Sequence, residues 1–181
     1  MRYASIINED FNNGEGVGIS LFVQGCHFHC KGCFNSEAWD FNGGNEWTKE
    51  IKDDFLKLID KPYITRVSIL GGSPLASENV DDVLDLVKEI KKQYPNKKIW
   101  LYTGYKFEAI MNPVVTDDFN PERDRINKCR REVLFYTDIL VDGKYIDELR
   151  DLTLKFRGSS NQRLINVKET LEQGEVVLCT Q

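Results

Sequence analysis

Apolar and polar residues alternate along the chain in two rhythms, and the switches between them predict short strands and helices. Ile19 to Val23 is a β-favouring run entered through the glycine-rich turn Gly14-Glu15-Gly16-Val17-Gly18. From Thr48, a residue suited to cap a helix, Ile51, Phe55, Leu58 and Ile59 fall at the i, i+4, i+7, i+8 spacing of one helical face, which ends before Pro62. Val67 to Leu70 reads as a buried strand closing on Gly71-Gly72. Ser77 is placed to cap a second helix, whose stripe Val80, Val83, Leu84, Val87 and Ile90 runs to about Tyr94. Pro95-Asn96 breaks it, and Ile99 to Tyr102 is the next strand. A short helix is expected over Lys106 to Met111. Asn112 to Arg131 is polar and reads as an insertion with a helix after Pro121; Asp138 to Val141 is a fourth strand ending at Asp142-Gly143.

Strands separated by helical stretches imply βαβ units, because parallel neighbours need a long crossover. A complete eightfold barrel needs at least ~200 residues, and this chain has 181. The expected fold is therefore α/β: an incomplete (βα) barrel or open sheet, mainly parallel and splayed, in a single domain over 1–181. The chemically unusual residues follow predicted strand ends: Gln24 to Cys33, Gly71-Gly72-Ser73, Thr103-Gly104 and Asp142-Gly143-Lys144. Carboxyl ends of parallel strands share one edge, where ligands bind. Four distant segments are expected to meet there.

Composition changes this picture little, since 41% hydrophobic and 29% charged residues are ordinary for a soluble globular protein. A net charge of −5 without a long basic tract argues against nonspecific binding to nucleic acid or anionic membrane. No apolar run approaches the ~20 residues that span a bilayer, and Met1 to Asp10 lacks the apolar core of a secretory leader. The expected compartment is the cytoplasm, where thiols stay reduced and five cysteines need a reason other than disulfides. Cys129 and Cys179 stand alone and read as thiols without a role.

Cys26, Cys30 and Cys33 form a C-x3-C-x2-C run. Thiolates are soft ligands suited to zinc or to iron–sulfur clusters. Structural zinc takes four protein ligands, often as two paired knuckles, and there is no second pair. Three cysteines instead suit a four-iron, four-sulfur cluster with one iron open to an outside ligand, unlike electron-transfer clusters held by four. The competing reading is zinc held by the three cysteines and His27 or His29, the chain's only histidines.

The cysteine spacing resembles the radical S-adenosylmethionine superfamily. Within it, Gly25-Cys26, His29-Cys30, Gly32-Cys33-Phe34-Asn35, Gly71-Gly72-Ser73-Pro74-Leu75, Tyr102-Thr103-Gly104-Tyr105, Val141-Asp142-Gly143-Lys144 and Arg157 to Arg163 are similar to the activating proteins of anaerobic ribonucleoside-triphosphate reductases. The resemblance covers Met1 to about Val167, with the Arg-Gly-Ser-Ser-Asn-Gln-Arg segment its most specific piece. It implies a cluster on Cys26, Cys30 and Cys33, and a cofactor-binding set of Gly32, Cys33, Phe34, Gly71, Gly72, Ser73, Thr103, Asp142 and Lys144.

By that resemblance Gly71-Gly72-Ser73 receives the ammonium of the methionine moiety. Ser73 stands where an acidic residue is usual and leaves only a hydroxyl and carbonyls to accept. Gly32 stands where many members carry an aromatic residue near the adenine, with Phe34 to supply apolar contact. Thr103 and Asp142 are implied to touch the ribose and amino-acid part, and Lys144 to pair with the carboxylate. Tight turns at Gly71 to Pro74 and at Asp142-Gly143, and a surface loop at Gly158 to Arg163, are the competing readings.

The implied activity is reductive cleavage of S-adenosylmethionine at a [4Fe-4S] cluster. The resulting 5′-deoxyadenosyl radical takes a Cα hydrogen from a glycine of the reductase, with a one-electron donor such as flavodoxin supplying the electron. The alternatives are a radical enzyme with another target and a non-catalytic zinc or iron–sulfur module.

Overall fold

In the computed structural model, which describes residues 1–114 and 120–180, the two rhythms resolve into seven strands and five helices. The first half holds β1 (Arg2–Asp10), β2 (Gly18–Val23), β3 (Asn45–Glu46), α1 (Lys49–Ile59), β4 (Arg66–Gly71) and α2 (Val80–Gln93). The second holds β5 (Lys98–Tyr102), α3 (Phe107–Met111), α4 (Pro121–Tyr136), β6 (Ile139–Asp142), β7 (Arg163–Asn166) and α5 (Val167–Gln173). The predicted helix after Pro121 is α4, with Asn120 accepting from the Arg123 N–H at 2.9 Å as its cap. Residues 115–119 of the predicted insertion lie outside the described residues.

All seven strands join one sheet in the order β3-β1-β2-β4-β5-β6-β7. The central four are parallel, as the crossover argument requires. The flanks are not: β1 runs antiparallel to β2 and to β3, and β7 antiparallel to β6. The sheet is therefore mixed and open, and no barrel closes. The reason lies in the connections. A short loop joins β1 to β2, and such a link permits only antiparallel neighbours. The segment between β6 and β7 contains only a short 3-10 turn, Asp147–Leu149, and no crossover α-helix.

Strand alternation divides the sheet faces. Ile19, Leu21, Val23, Val67, Ile69, Ile99, Leu101 and Leu140 are buried and form the main core with helix residues such as Phe55, Ile59, Val83, Val87, Ile90 and Val133. In α1 the cap is Thr48, whose hydroxyl accepts from the Ile51 N–H at 3.3 Å. In α2 the cap position belongs to Asn79 rather than Ser77, whose hydroxyl donates to Glu78. Turns at Ala76 and Asn79 delay the helix start. The Asn79 amide donates to the Gln24 and Ser73 carbonyls, both at 2.9 Å, tying the helix to the segment after β2.

The other face carries Ser20, Arg66, Ser68, Trp100 and Tyr102. Arg66 is fully buried, so its charge needs partners. It pairs with the buried Asp10 carboxylate and donates to the Ser68 hydroxyl at 2.6 Å and the Asp10 carbonyl at 2.8 Å. No helix among the described residues is long and apolar enough to cross a membrane.

Candidate cluster and cofactor site

The carboxyl ends of β2, β4, β5 and β6 lie on one edge of the sheet, and the cysteine run leaves the first of them. It is held against the stretch that returns at residues 38–39: Gly25 N–H donates to the Ala38 carbonyl at 2.8 Å and Cys26 N–H to the Trp39 carbonyl at 3.0 Å. Gln24, 2% exposed, braces the return by donating to the Asp40 carbonyl at 2.8 Å. His29 takes a φ of +47°, a left-handed turn uncommon outside glycine, and stacks on Trp39 at 4.7 Å.

Backbone N–H groups act on all three sulfurs: that of Asn35 donates to Cys33 at 3.4 Å, those of Phe28 and His29 favour the Cys26 thiolate, and that of Tyr145 favours the Cys30 thiolate. Burial raises the Cys26 and Cys30 thiols above their ordinary value; the neighbouring cysteines raise them further, and the Lys144 ammonium opposes the shift. Among the described residues no three His, Cys, Asp or Glu side chains converge closely enough for a single metal ion. Cys129 lies beside Asp81 and Arg125, and Cys179 against the Trp100 cluster.

A cavity of about 610 Å³ opens beside the run. Cys26, Cys30, Cys33 and Phe34 line it from one side, Gly71 and Gly72 from the end of β4, Thr103 and Gly104 from β5, and Gly143 and Lys144 from β6. The four strand-end segments thus do meet. Gly72 is glycine for a reason of packing: a Cβ there would lie 2.5 Å from the Gly25 carbonyl oxygen and 2.9 Å from that of Ala38.

Three of the expected residues are not part of this lining: Ser73 and Asp142 are buried behind it, and Gly32 is exposed beside it. Ser73 is 2% exposed; its N–H donates to the Gly25 carbonyl at 2.7 Å, and its hydroxyl has no partner among the described residues. Asp142 is 1% exposed, accepting from the Phe107 N–H at 2.8 Å and from both Nε and Nη2 of Arg163. Gly32 has φ +70°, and a Cβ there would meet the Asp147 carboxylate at 2.5 Å. Phe34 is 59% exposed, so it belongs to the cavity rim rather than the core.

Two further lining residues were not in the expected cofactor-binding set. Trp39 and Tyr102 line the cavity while the indole N–H and phenol hydroxyl lack partners among the described residues. Burial holds the Tyr102 phenol well above its ordinary range. The late Gly-Ser-Ser-Asn-Gln segment acts as a clasp. The Gln162 amide oxygen accepts from the Gly158 and Ser159 N–H groups at 2.9 and 3.2 Å, its nitrogen donates to the Gly143 carbonyl, and Asn161 donates to that of Lys144. The loop holding Tyr145 over Cys30 is fastened by these contacts.

Residues 12–165 match the family described as 4Fe-4S single cluster domain. The chain is 38% identical over 164 residues to the anaerobic ribonucleoside-triphosphate reductase-activating protein of Salmonella typhimurium, covering 90% of this chain and 96% of that one. The protein of the same name from Escherichia coli K12 is 37% identical with the same coverage. That of enterobacteria phage T4 is 37% identical over 91% of this chain and 93% of its own. The chain belongs to the family of anaerobic ribonucleoside-triphosphate reductase-activating proteins. Within that iron–sulfur family, the matched stretch contains the cysteine run, the cavity and the Gln162 clasp, so the residues that shape the site fall inside the shared region.

Proposed function

We propose that the protein is a radical-generating activase: it binds a [4Fe-4S] cluster through Cys26, Cys30 and Cys33, cleaves S-adenosylmethionine reductively, and installs a glycyl radical on an anaerobic ribonucleoside-triphosphate reductase. The observation that carries this reading is one cavity where three cysteines, whose thiolates neighbouring backbone N–H groups favour, face three glycine-bearing strand ends. The donor set fits the group. Hydrogen bonds to sulfur stabilise thiolate charge, as cluster ligands require. A cubane also spreads its thiolates over separate irons, so it does not need the single-ion convergence that zinc does. Held by Cys26, Cys30 and Cys33, the cluster would supply a single electron to S-adenosylmethionine, and the cofactor would supply the radical chemistry that takes a glycine Cα hydrogen.

The chain's own share is binding and orientation. Gly71 and Gly72 offer backbone to the methionine ammonium, with the unpartnered Ser73 hydroxyl immediately behind. The Lys144 ammonium, held over the Phe28 ring at 5.0 Å, reaches the carboxylate. Thr103 borders the ribose, and the Gly32 to Phe34 backbone, Cys33 included, borders the adenine. Asp142 acts from inside the wall by fixing Arg163 and the start of α3. A segment of the reductase enters the open remainder of the cavity, past Phe34 and Leu152, and a one-electron donor such as flavodoxin supplies the cluster.

Release of 5′-deoxyadenosine on anaerobic incubation with S-adenosylmethionine and dithionite tests the reading. Iron and sulfide bound together with cofactor cleavage is the expected result; stoichiometric zinc in anaerobically prepared protein with no cleavage contradicts it.

A further inference from the structure

The cysteine loop is gripped by a ladder of side chains, two of which, Arg130 and Tyr105, lie outside the cavity lining and are not required by the cofactor chemistry. Arg130 lies on α4, the helix that packs along α2. Its guanidinium sits 4.6 Å from the centre of the Tyr105 ring while Nη2 donates to the Tyr105 hydroxyl at 3.0 Å. Nε donates to the Leu75 carbonyl at 2.8 Å, which fixes the fork beside the ring. Tyr105 in turn meets Phe28 edge to face at 4.8 Å, and the Lys144 ammonium covers Phe28 at 5.0 Å. Phe28 packs so closely over Gly104 that a Cβ there would lie 2.6 Å from its ring. Phe28 sits between Cys26 and Cys30, and its N–H and that of His29 both favour the Cys26 thiolate.

We infer that Arg130 and Tyr105 are positioning residues for the cluster: by clamping the Phe28 ring they hold two N–H groups on the Cys26 sulfur and thereby raise the cluster's reduction potential. This inference rests on the cluster assignment above. Hydrogen bonds to cluster sulfurs are one of the levers that set potential. They favour the reduced state because it carries the extra negative charge. The clamp suits this task. A guanidinium with two fixed hydrogen bonds is stiffer than a lysine, and aromatic pairs add directional packing. The couple concerned is the one-electron reduction of the oxidised cluster by an external one-electron donor.

The experiment is a potentiometric titration of the anaerobically reconstituted full-length protein, monitored by electron paramagnetic resonance. It is paired with amide hydrogen exchange on the metal-free protein. Arg130→Gln, Arg130→Lys and Tyr105→Leu are compared with the unaltered chain. All should bind the same iron and sulfide. At a fixed potential the ratio of reduced to oxidised cluster should fall about threefold to tenfold in each, a tenfold fall being ~59 mV for a one-electron couple. Exchange at Phe28 and His29 should quicken in the metal-free variants.

Unchanged potential and unchanged exchange in variants that load the cluster overturn the inference. A shift confined to Arg130→Gln, with Arg130→Lys and Tyr105→Leu normal, also overturns it, since bare charge would then be the cause. If one variant fails to fold, the others decide. Failure of the unaltered chain to take up iron and sulfide sinks the cluster assignment instead, and the exchange data still read the clamp.

Discussion

Asn35 N–H, just past the run, donates to Cys33 at 3.4 Å, and backbone N–H groups of the run and of the loop after β6 favour the Cys26 and Cys30 thiolates. Serine in place of any one of the three should abolish cluster binding, seen as loss of bound iron and sulfide, and with it cofactor cleavage. Lys144 is a lone charge with a graded role. A hydrogen bond to a charged group contributes about 1.5–3 kcal/mol, so Lys144→Met should weaken S-adenosylmethionine binding roughly tenfold to a hundredfold while the iron content stays unchanged; equilibrium dialysis against the loaded protein measures both. Gly72→Ala is different again. Its Cβ would meet two carbonyl oxygens of the cysteine loop and its return, so cluster assembly and thermal stability should fall together.

At the scale of elements, the loop between β6 and β7 depends on the Gln162 amide. Gln162→Ala leaves two N–H groups and one carbonyl without partners, at a cost of about 1–3 kcal/mol for each group left buried. Amide exchange over residues 143–160 should rise more than exchange in the core strands. The same loop end is anchored by Arg163, which pairs with Asp142 and Glu108. Arg163 holds the Glu108 carboxyl down at about 2, against an ordinary 4.5. Because the folded value is the lower one, this pairing adds stability above pH 4.5 and loses it as pH falls toward 2. Glu108→Gln should therefore lower stability at neutral pH and flatten the acid limb of a stability–pH curve in that window, the two curves meeting as pH falls toward 2.

Across the whole molecule, the parts legible beforehand were those fixed by local periodicity. The helix face of Ile51, Phe55 and Ile59, the strands after Gly18, Arg66 and Lys98, and their meeting edge all follow from spacing and from the rule that parallel strands share an end. β1 was not legible, because β3 covers only Arg2 and Tyr3 on its outer side and the rest of the strand carries charged and polar residues such as Asn8 and Glu9 without a clean alternation. β7 and the antiparallel flanks follow from connection lengths that only tertiary structure reveals. The cysteine spacing named the donors, but the N–H from Tyr145 reaches Cys30 across more than a hundred residues. The commitment of Asp142 to Arg163, the Gln162 clasp and the Arg130–Tyr105–Phe28 ladder are likewise long-range side-chain contacts with no local pattern. The central claim concerns what the assembled site does to another protein. The most direct measurement is electron paramagnetic resonance of an anaerobic ribonucleoside-triphosphate reductase after anaerobic incubation with this protein, S-adenosylmethionine and a one-electron reductant. The account predicts a glycyl-radical signal that requires all three cysteines; cofactor cleavage with no such signal on the reductase would contradict it.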